Sequence, residues 1–301
     1  MTVAQRPPTF RCSTAARDRG DPMVATAPPA RRWLLLEHPG PWPARALDVL
    51  EPTLARALAA RAEAVGARVV LVRRPGRHPR QAGTVRWAVA DARLGHEAIR
   101  WSMTDDLHDL LVADWDPAAH PGDGPSDAAP VALVCTHGRH DVCCALRGRP
   151  VAAALDARWP GRVWECSHLG GDRFAASVVL LPHGLCYGRV DPSDAVALLG
   201  SYESGRVVPR LLRGRSSFTR AEQAAQALVR EREPSRDRFD DLLPLQVGAV
   251  GEQRIEVLLA GDPPLRVLMQ ERAVSLGTPA TCRSSATAVV HEFALLDLRP
   301  L

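Results

Sequence analysis

The chain of 301 residues contains no lysine and no asparagine and very little isoleucine. All 38 basic residues are therefore arginine, and the abundance of alanine, arginine, proline and valine is what a GC-rich genome produces. The net charge of +4 and the pI near 8.8 thus report on codon usage as much as on partners, and no nucleic-acid partner is expected. No stretch approaches the run of about 18 apolar residues that a membrane helix needs. The first 25 residues are polar and arginine-dotted, without the apolar core of a signal peptide. The expectation is a soluble, cytoplasmic protein with no membrane partner.

Several motifs are missing as well. There is no C-x-x-C pair of the kind that lowers thiol pKa at a helix start. Gly170-Gly171 lacks both G-x-G-x-x-G spacing and the Lys-Ser/Thr of a Walker loop, so nucleotide binding is set aside. No carboxylate pair can be singled out for sugar hydrolysis, and glycosidase activity is not supported.

What is present is sulfur. Seven cysteines, at 12, 135, 143, 144, 166, 186 and 282, make an odd number in a chain without an export signal. That argues against a disulfide framework and for reduced thiols, metal ligands or core residues. Four of them, Cys135, Cys143, Cys144 and Cys166, fall within 32 residues.

Hydrophobic patterning divides the chain into a flexible or draped arm (1–30), an N-terminal α/β domain (31–115), a linker rich in Pro, Gly, Asp and Ala (116–130), a second α/β domain (131–215) and a C-terminal extension (216–301). In the smaller N-terminal domain the expected elements are a strand at Arg32–Glu37, a helix over Ala44–Val65, strands at Ala67–Arg73, Thr84–Ala90 and His96–Trp101, and a short helix at Asp105–Asp114. In the second they are a strand at Val131–Cys135, a helix at Val151–Trp159 entered through Pro150, a strand at Arg162–Cys166, a hairpin across Pro182-His183-Gly184, and a helix opened by Asp191. This order, β-α-β-β-β-α, suits a thioredoxin-like sheet. A helix at Phe218–Arg232 and three short β-like runs complete the chain.

Two segments carry the chemistry. Cys135-Thr-His137-Gly-Arg-His140-Asp141-Val-Cys143-Cys144 follows one strand, and Cys166-Ser-His168-Leu-Gly170-Gly171-Asp172 follows another. Alternation along an extended chain predicts that Cys166 and His168 project together, and the glycine pair permits close backbone approach. Thiolates with imidazole suit iron–sulfur clusters, zinc or copper. Taken one at a time, each Cys can be a small buried hydrophobe and each His a hydrogen-bonded loop residue. That account does not explain why so many soft donors gather in two loops.

At Cys135, His137, Asp141 and Cys144, and then His168, Gly170, Gly171 and Asp172 running into Arg173-Phe174-Ala175, the chain resembles the sucrase/ferredoxin-like family of thioredoxin-like ferredoxins. Trp33 to Trp42, Tyr187-Gly188-Arg189 and Arg213-Gly214-Arg215 look like family features too. The resemblance implies a thioredoxin-like [2Fe-2S] protein serving as a one-electron carrier for a redox partner protein, with Cys135, Cys144 and His168 as ligands. Where fungal relatives place a second histidine, this chain has Asp172. A carboxylate is a harder ligand, so Asp172, Cys166 or Cys143 would complete the set.

Around these ligands, His137, Asp141, Cys143, Gly170 and Gly171 would support the site, and simple loop capping accounts for His137 and Asp141 equally well. His140 and His183 read as exposed loop residues, the two Arg-Gly-Arg turns at 147–149 and 213–215 as solvated surface, and Trp33, Trp42, Trp87 and Trp101 as core. Cys12, Cys186 and Cys282 read as isolated and structural, with Cys282 in a loop that can approach the site. Two other functions fit the same residues: a thiol–disulfide redox protein cycling Cys135 and Cys144, and a structural zinc module. On balance the sequence points to electron transfer rather than to an enzyme.

Overall fold

The computed structural model describes residues 10–76, 83–117 and 129–301. Most of the expected linker, 118–128, and the start of the arm, 1–9, lie outside the described residues. The chain opens with α1 (Cys12–Asp18), and then β1 (Arg32–Glu37), α2 (Pro52–Ala64), β2 (Ala67–Arg73), β3 (Val85–Asp91) and β4 (Ala98–Thr104) follow in order. A second run repeats that order: β5 (Val131–Cys135), α3 (Val142–Arg158), β6 (Val163–Cys166), β7 (Val178–Leu181) and β8 (Leu185–Tyr187). Next come α4 (Ala195–Glu203), β9 (Leu212–Arg215) and α5 (Arg220–Arg232), and last a meander of β10 (Pro244–Ala249), β11 (Arg254–Leu259), β12 (Leu265–Ser275) and β13 (Val289–Pro300).

The first nine strands form one mixed sheet in the order β4-β3-β1-β2-β6-β5-β7-β8-β9. Its two halves share one topology. β1 pairs parallel with β2 and antiparallel with β3, as β5 pairs parallel with β6 and antiparallel with β7. Each half is thus a thioredoxin-like βαβββ unit, and the halves join where the C-terminal ends of β2 and β6 overlap antiparallel at Val72↔Cys166 and Arg73↔Glu165.

Both faces of the sheet are covered, and for that reason its strands read as apolar runs rather than clean alternations. Side-chain direction still alternates along β1: Leu34 and Leu36 meet α2 through Leu54 and Leu58, while Trp33 and Leu35 join a core shared with Leu133, Trp164 and Val179 of the second unit. On the other face of that unit Val134, Leu155, Leu180 and Leu199 pack together beneath α3 and α4. Helix α5 covers the four-stranded meander through Ala224, Val229, Val257, Leu259, Val267 and Met269.

Several elements differ from expectation, each for a local reason. The single helix expected over Ala44–Val65 is split into a 3₁₀ turn at Ala46–Val49 and α2, because Pro52 has no N–H to continue an incoming helix and takes the first helical position under a Glu51 cap. The short helix near Asp105 is a 3₁₀ turn, Leu107–Leu111. Helix α3 begins nine residues earlier than expected, at Val142, and holds Pro150 inside it. Pro150 leaves the Leu146 carbonyl without its helical partner, but both residues are exposed, so that carbonyl is not cut off from solvent. The last three β-like runs are four strands, two of them of 11 and 12 residues. The arm is draped: Cys12, Ala16, Met23, Ala25 and Ala27 are buried.

Candidate metal centre

Strands β5 and β6 end side by side, at Cys135 opposite Cys166, and the loops leaving them face each other. The Asp141 carboxylate caps α3 by accepting from the Cys143 N–H at 2.9 Å, so Cys143 and Cys144 stand in the first turn of a helix rather than in a loop. Successive helical residues diverge by about 100°, and the two sulfurs therefore face different neighbours. Gly148 lets this helix lie against the end of β5: a side-chain carbon there would run into the Cys135 carbonyl.

The result is that one donor atom each from Cys135, Cys144 and His168 falls within 4.8 Å of the others. Asp172 adjoins them, with Oδ1 2.8 Å from His168 Nδ1 and 3.2 Å from Cys144 Sγ. The His168 contact is poorly directed, leaving that buried Nδ1 without a proper hydrogen bond. His140 stacks on His168 with ring centroids 3.7 Å apart and sets its Nε2 3.6 Å from Asp172, so it is half-buried at the site rather than an exposed loop residue.

The surrounding shell fixes the loops. The His168 N–H donates to His137 Nδ1 at 3.3 Å, and His137 Nε2 meets the Pro43 carbonyl at 2.6 Å, tying the site to the loop after β1. Trp42 from that same loop lies edge-on to His137. Gly170 and Gly171 both have left-handed backbones, φ 89° and 78°, which glycine adopts without strain. They wrap Arg213, whose guanidinium donates to the Gly170 carbonyl at 2.9 Å and would be struck by any side chain at Gly171.

Arg213 and Arg215 are both buried, a correction to their expected place on the solvated surface, while Arg147 and Arg149 are exposed. Burial lowers the Arg213 pKa to about 10. His183 is likewise half-buried, in contact with the Tyr202 hydroxyl at 2.6 Å, and not an exposed loop residue.

Charge is distributed unevenly among the donors. Cys135 is held well below the usual thiol range by hydrogen bonds from Cys144 and His168, against the cost of burial. Cys144 is pushed well above it by its contact with Cys135 and by burial. Burial opposes the His168 cation, yet Asp172 and Cys135 outweigh it and raise that pKa to about 9. The two sulfurs are thus driven in opposite directions, Cys135 toward its charged form and Cys144 toward its neutral one, while His168 and Asp172 each favour the charge of the other.

The remaining cysteines divide. Cys166 is fully buried in the core shared by the two units and stands outside the three-donor group. The alternation that would have paired it with His168 stops where β6 stops, because Ser167 turns to bond Leu71 of β2. Cys186 is structural, its sulfur directed at the Gly184 carbonyl at 3.5 Å. Cys12 and Cys282 are not isolated: they converge with Cys143 and Asp141 into a second group of four buried donors. Sequence reasoning missed this group because it draws on three segments 129 to 270 positions apart, around Cys12, Asp141 to Cys143 and Cys282, and no spacing motif links them.

Comparison with known proteins places this geometry in context. Residues 23–214 match the family model described as sucrase/ferredoxin-like, well over half of the chain. A cysteine-to-serine variant of the thioredoxin-like [2Fe-2S] ferredoxin from Aquifex aeolicus is similar at 20% identity, over 28% of this chain and 97% of that one, with a TM-score of 0.25. A structure of a thioredoxin-like [2Fe-2S] ferredoxin from the same organism gives 21%, 28%, 88% and 0.24. No curated protein matches the chain. Among the described residues no helix is long and apolar enough to cross a membrane.

Proposed function

Because this chain belongs to the sucrase/ferredoxin-like family, we propose that it is a cytoplasmic one-electron carrier whose [2Fe-2S] cluster is held by Cys135, Cys144 and His168, with Asp172 as the fourth donor. The observation that carries this reading is the convergence of two sulfurs and a ring nitrogen at the ends of two neighbouring strands. Soft thiolates with an imidazole fit an iron–sulfur cluster. Asp172 is favoured over Cys166 and Cys143 because it alone of the three touches both His168 and Cys144.

When bound, such a cluster supplies a single electron-accepting orbital set at a potential fixed by its ligands and surroundings. The chain's own residues would set those surroundings. His137 fixes the His168 backbone, Arg213 holds the Gly170 carbonyl, and Trp42 closes the side next to the first unit. His140 and His168 are the partly exposed members of the centre, and a redox partner protein would dock over them.

Anaerobically purified protein should contain about two irons and two sulfides per chain, bleach on one-electron reduction, and give an EPR signal in the reduced form. With His168 as a ligand, its potential should fall as pH rises through the imidazole titration. Protein carrying zinc in place of iron would overturn the cluster.

A second reading rests on the charge pattern of the centre without metal. Neighbouring sulfurs of which one, Cys135, is shifted down and the other, Cys144, is shifted up are also what a thiol redox pair needs to begin its cycle. Rapid turnover of a disulfide substrate by metal-free protein would establish that alternative.

A further inference from the structure

Behind the candidate cluster lies the second group of donors, Cys12, Asp141, Cys143 and Cys282, one atom from each within 4.8 Å of the others and every residue buried. The sulfurs of Cys143 and Cys282 are 3.5 Å apart, and Cys12 Sγ is 3.7 and 3.5 Å from the two Asp141 oxygens. A tetrahedral zinc with bonds of about 2.3 Å to sulfur and about 2.0 Å to oxygen has edges of about 3.8 Å between sulfurs and about 3.5 Å from sulfur to oxygen. These three separations are close to the edges of such a tetrahedron, and the remaining donor pairs lie within 4.8 Å.

From this geometry we infer that Cys12, Cys143, Cys282 and Asp141 form a closed structural site for one zinc ion, separate from the cluster ligands. The surroundings suit it. The Cys12 N–H points at Cys282 Sγ at 3.3 Å, and the N–H groups of Cys143 and Cys282 both donate to the Asp141 carboxylate, orienting it as metal-bound carboxylates are oriented. The Arg173 guanidinium lies close enough to Cys12 to offset part of the negative charge of three thiolates and a carboxylate. Ala175, Phe10 and Val142 close the pocket. A disulfide between any two of the sulfurs would leave the third beside a buried carboxylate without a partner ion.

The site also answers a question of construction. The loop 276–288 joins β12 to β13, and in it, all of which is described, Cys282 alone is buried. With so little apolar area of its own, the loop gains its anchor to α3 and to the start of α1 from the metal, as small metal-held modules do. Cys143 and Cys144 then divide one helical turn between two centres.

The test uses full-length protein purified anaerobically and analysed for zinc, iron and sulfide, beside Cys12→Ser, Cys282→Ser and, for the other centre, Cys135→Ser. The site predicts about one zinc per chain in the parent protein and in Cys135→Ser, falling below about a tenth of one in Cys282→Ser while iron and sulfide stay unchanged. Should the Cys12 or Cys282 variants fail to fold, cobalt-grown parent protein must show the charge-transfer absorption of a tetrahedral cobalt with thiolate ligands. Zinc retained by Cys282→Ser, iron and sulfide lost in step with it, a disulfide among the three cysteines, or parent protein without zinc or cobalt would each overturn the proposal. Loss of the cluster alone, with zinc intact, would leave it standing.

Discussion

Position for position, the unit built on β1 to β4 and the unit built on β5 to β8 follow the same path, yet only the second carries cysteine. Where β5 ends in Cys135, β1 ends in Glu37, and where Cys166 faces Cys135, Val72 faces Glu37. Both helices start under an acidic cap, Glu51 and Asp141, but the next-but-one and following positions are Thr53 and Leu54 in α2 against Cys143 and Cys144 in α3. Leu54 is buried among Leu36, Leu58 and Trp42, so the site that takes a donor in one unit takes a core side chain in the other. Seven residues into each helix stands Leu58 in α2 and Gly148 in α3. The lesson is that one backbone frame makes either a hydrophobic core or a metal centre, depending on a handful of side chains at strand ends and a helix start. The first unit still takes part in the chemistry: its loop after β1 covers His137 of the second.

The sharpest way to break this comparison is to exchange losses between the units. Cys135→Ser should lower bound iron by more than about tenfold, and Leu54→Ala should leave iron per folded chain unchanged; iron and sulfide assays on both variants check it. Leu54→Ala should instead cost about 2 to 5 kcal/mol of stability, measured by denaturant unfolding, because its cavity lies inside the core beneath α2. Gly148→Ala should cost about 1 to 3 kcal/mol and lower metal occupancy as well, since the added carbon must push α3 off the end of β5. A normal iron content in that variant would mean that the helix approach does not set the Cys135 to Cys144 distance.

The smallest effect expected is on pH dependence, and the units should differ in its sign. In chelator-stripped protein the His168 pKa is raised from 6.5 to about 9, so its stabilising effect is full below about 6.5 and gone once the pH has risen through about 9. Asp91 of the first unit behaves in the opposite way. Burial works against its charge, but hydrogen bonds from Arg93 and Arg32 hold it below 3.8, so it stabilises above that value and the effect fades as the pH falls further. Melting curves should show an alkaline loss of about 1 to 2 kcal/mol, allowing for solvent screening, that His168→Gln removes and Asp91→Asn does not.

Much of the second unit was legible in order. The run Val131–Cys135 and the strand ending at Cys166 are local apolar signals, and the donors that follow them sit where chain direction alone puts them at a sheet end. The start of α3 was not legible, because Pro150 reads as a helix entrance while the cap that starts the helix is a single aspartate. Nor was the burial of Arg213 and Arg215, since nothing local separates an arginine that donates to carbonyls of distant segments from one in water.

The sequence by itself determined which residues can bind metal and which segments become strands, because ligand type and apolar periodicity are properties of short stretches of chain. Only the tertiary structure decided that two such units meet through β2 and β6, and that Cys12 and Cys282 arrive beside Cys143. Those are contacts between residues far apart in the chain, fixed by packing the whole sheet and its covering loops at once, and no local pattern encodes them.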